Sequence, residues 1–184
     1  VGILDLPGFA RFEVSGDGAA AWLEGLVTGA LPKPGRIGLV YFATKSGRIL
    51  TEMTVTRFAE DHFWLMTASG AEWHDRDWLL AHLPANSGIR IDNVTAAWDT
   101  LVLTGPKSRA VLTQVCESDL SSESFPWLSH QPIVIGMARG RAIRVSYAGE
   151  LGWEIHLPNE YMVSVYQALW TAGEAEGIRD FGIY

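Results

Sequence analysis

Ser146-Tyr147-Ala148-Gly149-Glu150-Leu151-Gly152-Trp153-Glu154 is the stretch on which the reading of this chain turns. It lies between an apolar run, Ala142 to Val145, and a strand-like run, Ile155 to Leu157. Gly149 and Gly152 bracket Glu150-Leu151, which points to positive φ or to close approach of another group. A plain hairpin turn explains the two glycines equally well. On the following strand Trp153, Ile155 and Leu157 share one face, and Gly152, Glu154 and His156 share the other. By pattern alone Glu154 is an exposed strand carboxylate or a cavity-lining one, and the alternation does not separate the two.

Working outward, Pro158-Asn159 starts a helix whose apolar stripe is Tyr161, Met162, Val165, Tyr166, Leu169 and Trp170, ended by Gly173 or Gly177. Upstream, Ile133 to Met137 and Ala142 to Ser146 read as strands flanking a turn at Arg139-Gly140. Gly105-Pro106 opens a helix that buries Val111, Leu112 and Val115, because proline at a helix start gives up no hydrogen bond. In the N-terminal half Phe9 to Val14 reads as a strand. Asp17 is placed to cap a helix with Ala19, Trp22, Leu23, Leu26 and Val27 on its buried face. Leu31-Pro32-Lys33-Pro34-Gly35 is the best linker candidate. A β-meander follows, from Gly38 to Thr67 with turns at Lys45-Ser46-Gly47 and Glu60-Asp61. Glu72 to Leu83 reads as helix, with Trp78, Leu79, His82 and Leu83 on one face. Ile89 to Val94 and Thr100 to Leu103 read as strands. Hairpin-linked strands with helices to one side predict an α+β fold with antiparallel sheets. The order strand-helix-strand-strand-helix-strand recurs loosely, as in ferredoxin-like units, although no internal repeat stands out in the residues themselves.

The 184 residues suffice for one large domain or two small intertwined ones. The net charge of −7 disfavours a duplex nucleic-acid partner. The tightest basic cluster, Arg139-Gly140-Arg141 with Arg144, reads as strand-edge charge. Cys116 is the one cysteine, and the five histidines lack zinc-ligand spacing, so no disulfide and no metal site are expected. No apolar run approaches the roughly 20 residues of a membrane span, and no signal peptide is visible. Starting at Val1 inside an apolar run, the chain is expected to be a piece of a longer protein. Eight tryptophans could suggest sugar stacking. Trp22, Trp78 and Trp170 fall on apolar helix faces, however, and read as core.

Gly16-Asp17-Gly18-Ala19-Ala20-Ala21 nearly matches a dinucleotide fingerprint. No acid ends the next strand to hold a ribose, and Asp17 would sit beside the pyrophosphate, so a helix entry explains it better. In the strand Arg48 to Phe58, alternation puts Leu50, Glu52, Thr54 and Thr56 on one face. Glu52 there reads as a solvated carboxylate.

The opening stretch resembles the S-Y-T-G-E-L-G-W-E segment of the folate-dependent one-carbon enzymes. These include the glycine-cleavage T-protein and the C-terminal halves of dimethylglycine and sarcosine dehydrogenases. Val1-Gly2-Ile3-Leu4-Asp5-Leu6, Gly47 to Val55, Leu103-Thr104-Gly105-Pro106 with Ala110, Asp119-Leu120, Phe125 and Asp180-Phe181-Gly182 resemble further family segments in the right order. Glu52 at a position where T-proteins carry Asp, Glu72 with His74-Asp75, and Gly149 to Glu154 are most similar to the dimethylglycine dehydrogenase branch.

The resemblance implies three domains around a central folate channel. This chain would supply two ferredoxin-like ones: residues 1–35 with 98–184, and an inserted 36–97, truncated before a C-terminal β-domain. It implies tetrahydrofolate as cofactor, with FAD confined to an upstream flavin domain outside this chain. Glu154 corresponds to the pterin-binding glutamate, and Glu52 to the catalytic acid beside the reactive folate nitrogens. Leu39, Met66 and Tyr147 correspond to pocket-lining positions. Ala68 stands where T-proteins have a folate-contacting Asn, and Ala148 replaces the usual Thr. The implied substrate is an iminium, or formaldehyde, from N-methyl amine oxidation, with no nucleic-acid or membrane partner. The compartment would be the cytoplasm in a bacterium or the mitochondrial matrix in a eukaryote. Two other readings stay open: a flavin-free aminomethyltransferase or demethylase, and a folate-binding module without chemistry.

Overall fold

A computed structural model describes residues 1–182. In chain order the elements are β1 (Gly2–Asp5), β2 (Phe9–Ser15), α1 (Ala19–Glu24), β3 (Val27–Thr28), β4 (Ile37–Ala43), β5 (Ile49–Ala59), β6 (His62–Ala68), α2 (Glu72–Ala81), β7 (Arg90–Asn93), β8 (Trp98–Thr104), α3 (Ser108–Val115), β9 (His130–Ile135), β10 (Ala138–Ile143), β11 (Gly152–Pro158), α4 (Met162–Gly173) and β12 (Arg179–Asp180). They divide into an inserted unit, Gly8–Thr95, and a flanking unit made of Val1–Pro7 and the chain from Ala96 on. Each unit is α+β with its own sheet.

The inserted unit's sheet runs β3-β4-β5-β6-β2-β7 and is antiparallel throughout. One face carries the core: Ala10, Phe12 and Val14 from β2, Val40 and Phe42 from β4, Met53 and Val55 from β5, and Phe63 and Leu65 from β6. These pack under Ala19, Trp22 and Leu23 of α1 and Leu79 of α2. The alternation in the strands and the i, i+3, i+4 spacing in the helices leave this as the burial that hides the apolar stripes of both. Each large side chain so buried stabilises by about 1.5–3 kcal/mol.

The flanking unit repeats the plan. Its sheet runs β12-β1-β8-β11-β10-β9. Leu101, Leu103, Ile133, Ile135, Trp153, Ile155 and Leu157 pack under Val111 and Leu112 of α3 and Val165 and Leu169 of α4. The β-α-β-β-α-β order of a ferredoxin-like unit is β2-α1-β5-β6-α2-β7 in one and β8-α3-β10-β11-α4-β12 in the other. β4 and β9 are corresponding extra strands, and β1 is an addition between β12 and β8. The strand pairing makes the correspondence residue by residue. Met66 is flanked by Arg11 and Thr54, as His156 is by Thr100 and Arg141.

Three expectations are corrected. The inserted unit begins at Gly8, where residue 36 was expected, because β2 pairs with β6 and β7. The Leu31 to Gly35 stretch therefore lies within that unit. Buried Arg57 closes it, donating to Pro32 O while its own carbonyl accepts from Gly35 N. The acid at the α1 N-terminus is Asp61, not Asp17, accepting from Ala20 N at 2.8 Å. The β9–β10 turn falls at Gly136-Met137, and Arg139-Gly140 lie inside β10. Gly140 is glycine for proximity, since a Cβ there would collide with the His156 carbonyl.

Candidate functional site

In the flanking unit Trp153, Ile155 and Leu157 face the helices, so Glu154 and His156 stand on the opposite face. The Cα partners of Glu154 are Val102 on β8 and Ile143 on β10. An acid set between two apolar neighbours is not the solvated strand carboxylate of the simple pattern, and its side chain is 23% exposed. His156, fully buried, places Nε2 3.3 Å from Glu154 Oε2 and Nδ1 3.0 Å from Thr100 Oγ1.

The loop before β11 carries the rest of the motif. Gly149 has φ +79°, and a Cβ on Gly152 would lie 3.0 Å from Thr104 Oγ1, so one glycine serves the turn and the other close packing. Ser146 Oγ is shielded from solvent and has no hydrogen-bond partner among the described residues. Tyr147 is fully exposed on this loop. Arg144 donates to Phe125 O, and burial together with the Arg109 guanidinium pulls its pKa below the usual value.

In the inserted unit Leu39, Thr54, Met66 and Arg11 form one cross-strand row on the face away from α1 and α2. Leu39 is 55% exposed, whereas Met66 and Arg11 are buried. Glu52, exposed, stands two residues along β5 from Thr54, opposite Tyr41. Three of the five sequence-predicted site residues, Leu39, Glu52 and Met66, thus share one sheet face of one unit. Glu154 and Tyr147 belong to the other unit.

The family model for the GCVT N-terminal domain matches residues 1–184. The chain belongs to this family. It is 35% identical to the mitochondrial dimethylglycine dehydrogenase of Mus musculus over all of this chain and 21% of that protein. It is 30% identical to the aminomethyltransferase of Chlorobaculum tepidum over 99% of this chain and 50% of that protein. The fold matches the glycine cleavage system aminomethyltransferase T of Bartonella henselae with a TM-score of 0.82 at 23% identity, over 99% of this chain and 48% of that one. The chain thus spans about a fifth to a half of the length of these relatives.

In this GCVT-family chain two polar groups escaped the sequence reading. His156 and Thr100 complete a line Thr100–His156–Glu154 that only the β8–β11 pairing brings together. The signal available was His156 two residues beyond Glu154. Asp75 is the second. It lies on the sheet-facing side of α2, fully buried, and accepts from Thr67 Oγ1 at 2.7 Å and Thr51 Oγ1 at 3.0 Å, with His74 Nδ1 at 2.9 Å. It falls on the stripe of Trp78, Leu79 and His82, at i−3 and i−4.

Proposed function

We propose that this chain is the tetrahydrofolate-binding portion of a dimethylglycine- or sarcosine-dehydrogenase-like enzyme. It would help capture the one-carbon unit of N-methyl amine oxidation as methylene-tetrahydrofolate. The observation that carries this reading is Glu154, a half-buried carboxylate flanked by Val102 and Ile143 in a chain of the GCVT family.

The side chains suit the cofactor. A carboxylate only accepts, and Glu154 has one oxygen beside His156 and the other without a partner among the described residues. It can take the paired amino and ring N–H donors of a pterin in bidentate fashion. Low exposure strengthens that contact. Tyr147, on the loop before β11, offers an uncovered aromatic face. Tetrahydrofolate, when bound, supplies the nitrogen nucleophile that takes up the one-carbon unit. Glu52 stabilises positive charge at the reacting carbon or accepts the proton released as the adduct closes.

Glu154→Ala in the protein of full natural length should abolish or strongly weaken tetrahydrofolate binding in calorimetric titration and leave amine oxidation unchanged. Wild-type affinity in that variant would refute the assignment. Glu52→Gln should bind the cofactor normally and release more free formaldehyde at the expense of methylene-tetrahydrofolate, and an unchanged product ratio would remove Glu52 from the chemistry.

A further inference from the structure

The histidine behind Glu154 has no part in the proposed function so far. His156 is fully buried, and its two ring nitrogens face two different groups: Glu154 Oε2 at Nε2 and Thr100 Oγ1 at Nδ1. Among the described residues it is the one ion-pair partner of Glu154. Nε2 meets Oε2 at 3.3 Å as a close charge contact without hydrogen-bond alignment, and because a carboxylate donates nothing, the contact is attractive with the proton on Nε2. The Thr100 hydroxyl both donates and accepts and can serve Nδ1 in either state. Thr100, hydrogen-bonded to Nδ1, holds the ring from behind with Nε2 toward Glu154.

The sister unit shows that packing does not require this arrangement. At the position of His156 the inserted unit has Met66, at that of Glu154 it has Trp64, and at that of Thr100 it has Arg11. The same sheet position accepts an apolar side chain. The inserted unit's own imidazole–carboxylate pair on that face, His62 with Glu13, is about a third exposed, whereas His156 is fully buried. A protonated Nε2 at 3.3 Å attracts Oε2 and so biases the carboxylate plane, and it leaves Oε1 for another donor.

We infer that His156 is a positioning residue that, braced by Thr100, orients the Glu154 carboxylate for its ligand. The inference rests on Glu154 being the pterin ligand. The general precedent is that a group held by a second hydrogen bond loses less freedom on binding than one left to rotate.

The test is calorimetric titration of tetrahydrofolate into the wild-type protein of full natural length and its His156→Asn, His156→Gln and Glu154→Gln variants, with melting temperatures recorded for each. His156→Asn, too short to reach Glu154, should bind about ten-fold more weakly, equivalent to about 1.4 kcal/mol. His156→Gln, whose amide nitrogen extends to about the place of Nε2, should recover binding to within about three-fold of wild type. A purely structural role would lower the melting temperature in both variants and would not distinguish them in affinity. Nitrogen-15 spectra of the unmutated protein provide a reading independent of folding of the variants. They should show Nε2 protonated, and an unprotonated Nε2 would overturn the inference. So would wild-type affinity in His156→Asn alongside weakened Glu154→Gln. Wild-type affinity in Glu154→Gln would instead bring down the pterin reading, and this inference with it.

Discussion

The two units share one plan and differ in where they keep their polar groups. Beneath α2 the inserted unit has Thr51, Thr67 and Asp75, joined by hydrogen bonds. The corresponding positions beneath α4 are Ala138, Leu157 and Val165, all buried and apolar. On the opposite face the order reverses in part. The inserted unit has Trp64 and Met66 where the flanking unit has Glu154 and His156, and Glu52 where the flanking unit has Arg139. The helix-facing layer tolerates either chemistry provided every polar atom is paired. The opposite face, where the fold imposes less, carries the residues that distinguish the units.

That contrast can be broken from the helix side first. Val165→Asp would bury a carboxylate without the two threonines that serve Asp75, and should destabilise by about 4 kcal/mol. Asp75→Val leaves the Thr67 and Thr51 hydroxyls without their acceptor and should cost about 2 kcal/mol. Replacing Thr51, Thr67 and Asp75 together by valine should restore most of that loss, because removing both sides of a hydrogen bond costs far less than removing one. Chemical denaturation of the three variants measures all three effects. If the triple variant is no more stable than Asp75→Val, the two layers are not equivalent.

The smallest effect concerns β1, the strand without a counterpart in the inserted unit. Burial first, then the Asp99 carboxylate, raises the Asp5 pKa. The folded chain therefore holds that proton to higher pH than the unfolded one. Stability falls as pH rises from the unfolded carboxyl's range through the folded pKa. Asp5→Asn should gain less than about 0.5 kcal/mol at neutral pH, discounted for exposure, and the gain should vanish in acid. Melting temperatures across pH check it, and a gain that grows in acid would contradict the sign.

Much of this was readable in the residues. The meander from Ile37 to Ala68 announces itself by alternation and turn chemistry, and α4 by its stripe. Glycine misled where its reason was proximity and not a turn: Gly140 sits inside β10 because the His156 backbone crowds it. Prolines misled at Leu31 to Gly35, because the loop's tie to Arg57 comes from a strand more than twenty residues on. The repeat was hidden because a core position asks only for apolar volume, so Phe63 and Leu65 need not resemble Trp153 and Ile155. Glu154 was singled out by its motif, but not its setting, since Val102 and Ile143 arrive from other strands. Asp75 was passed over because a charged residue on a helix is ordinarily solvated.

The most direct test of the central claim is titration of tetrahydrofolate into wild type, Glu154→Ala and Glu52→Gln side by side. The account predicts binding by wild type and Glu52→Gln at similar affinity, and a loss confined to Glu154→Ala. Equal affinity in all three would contradict it.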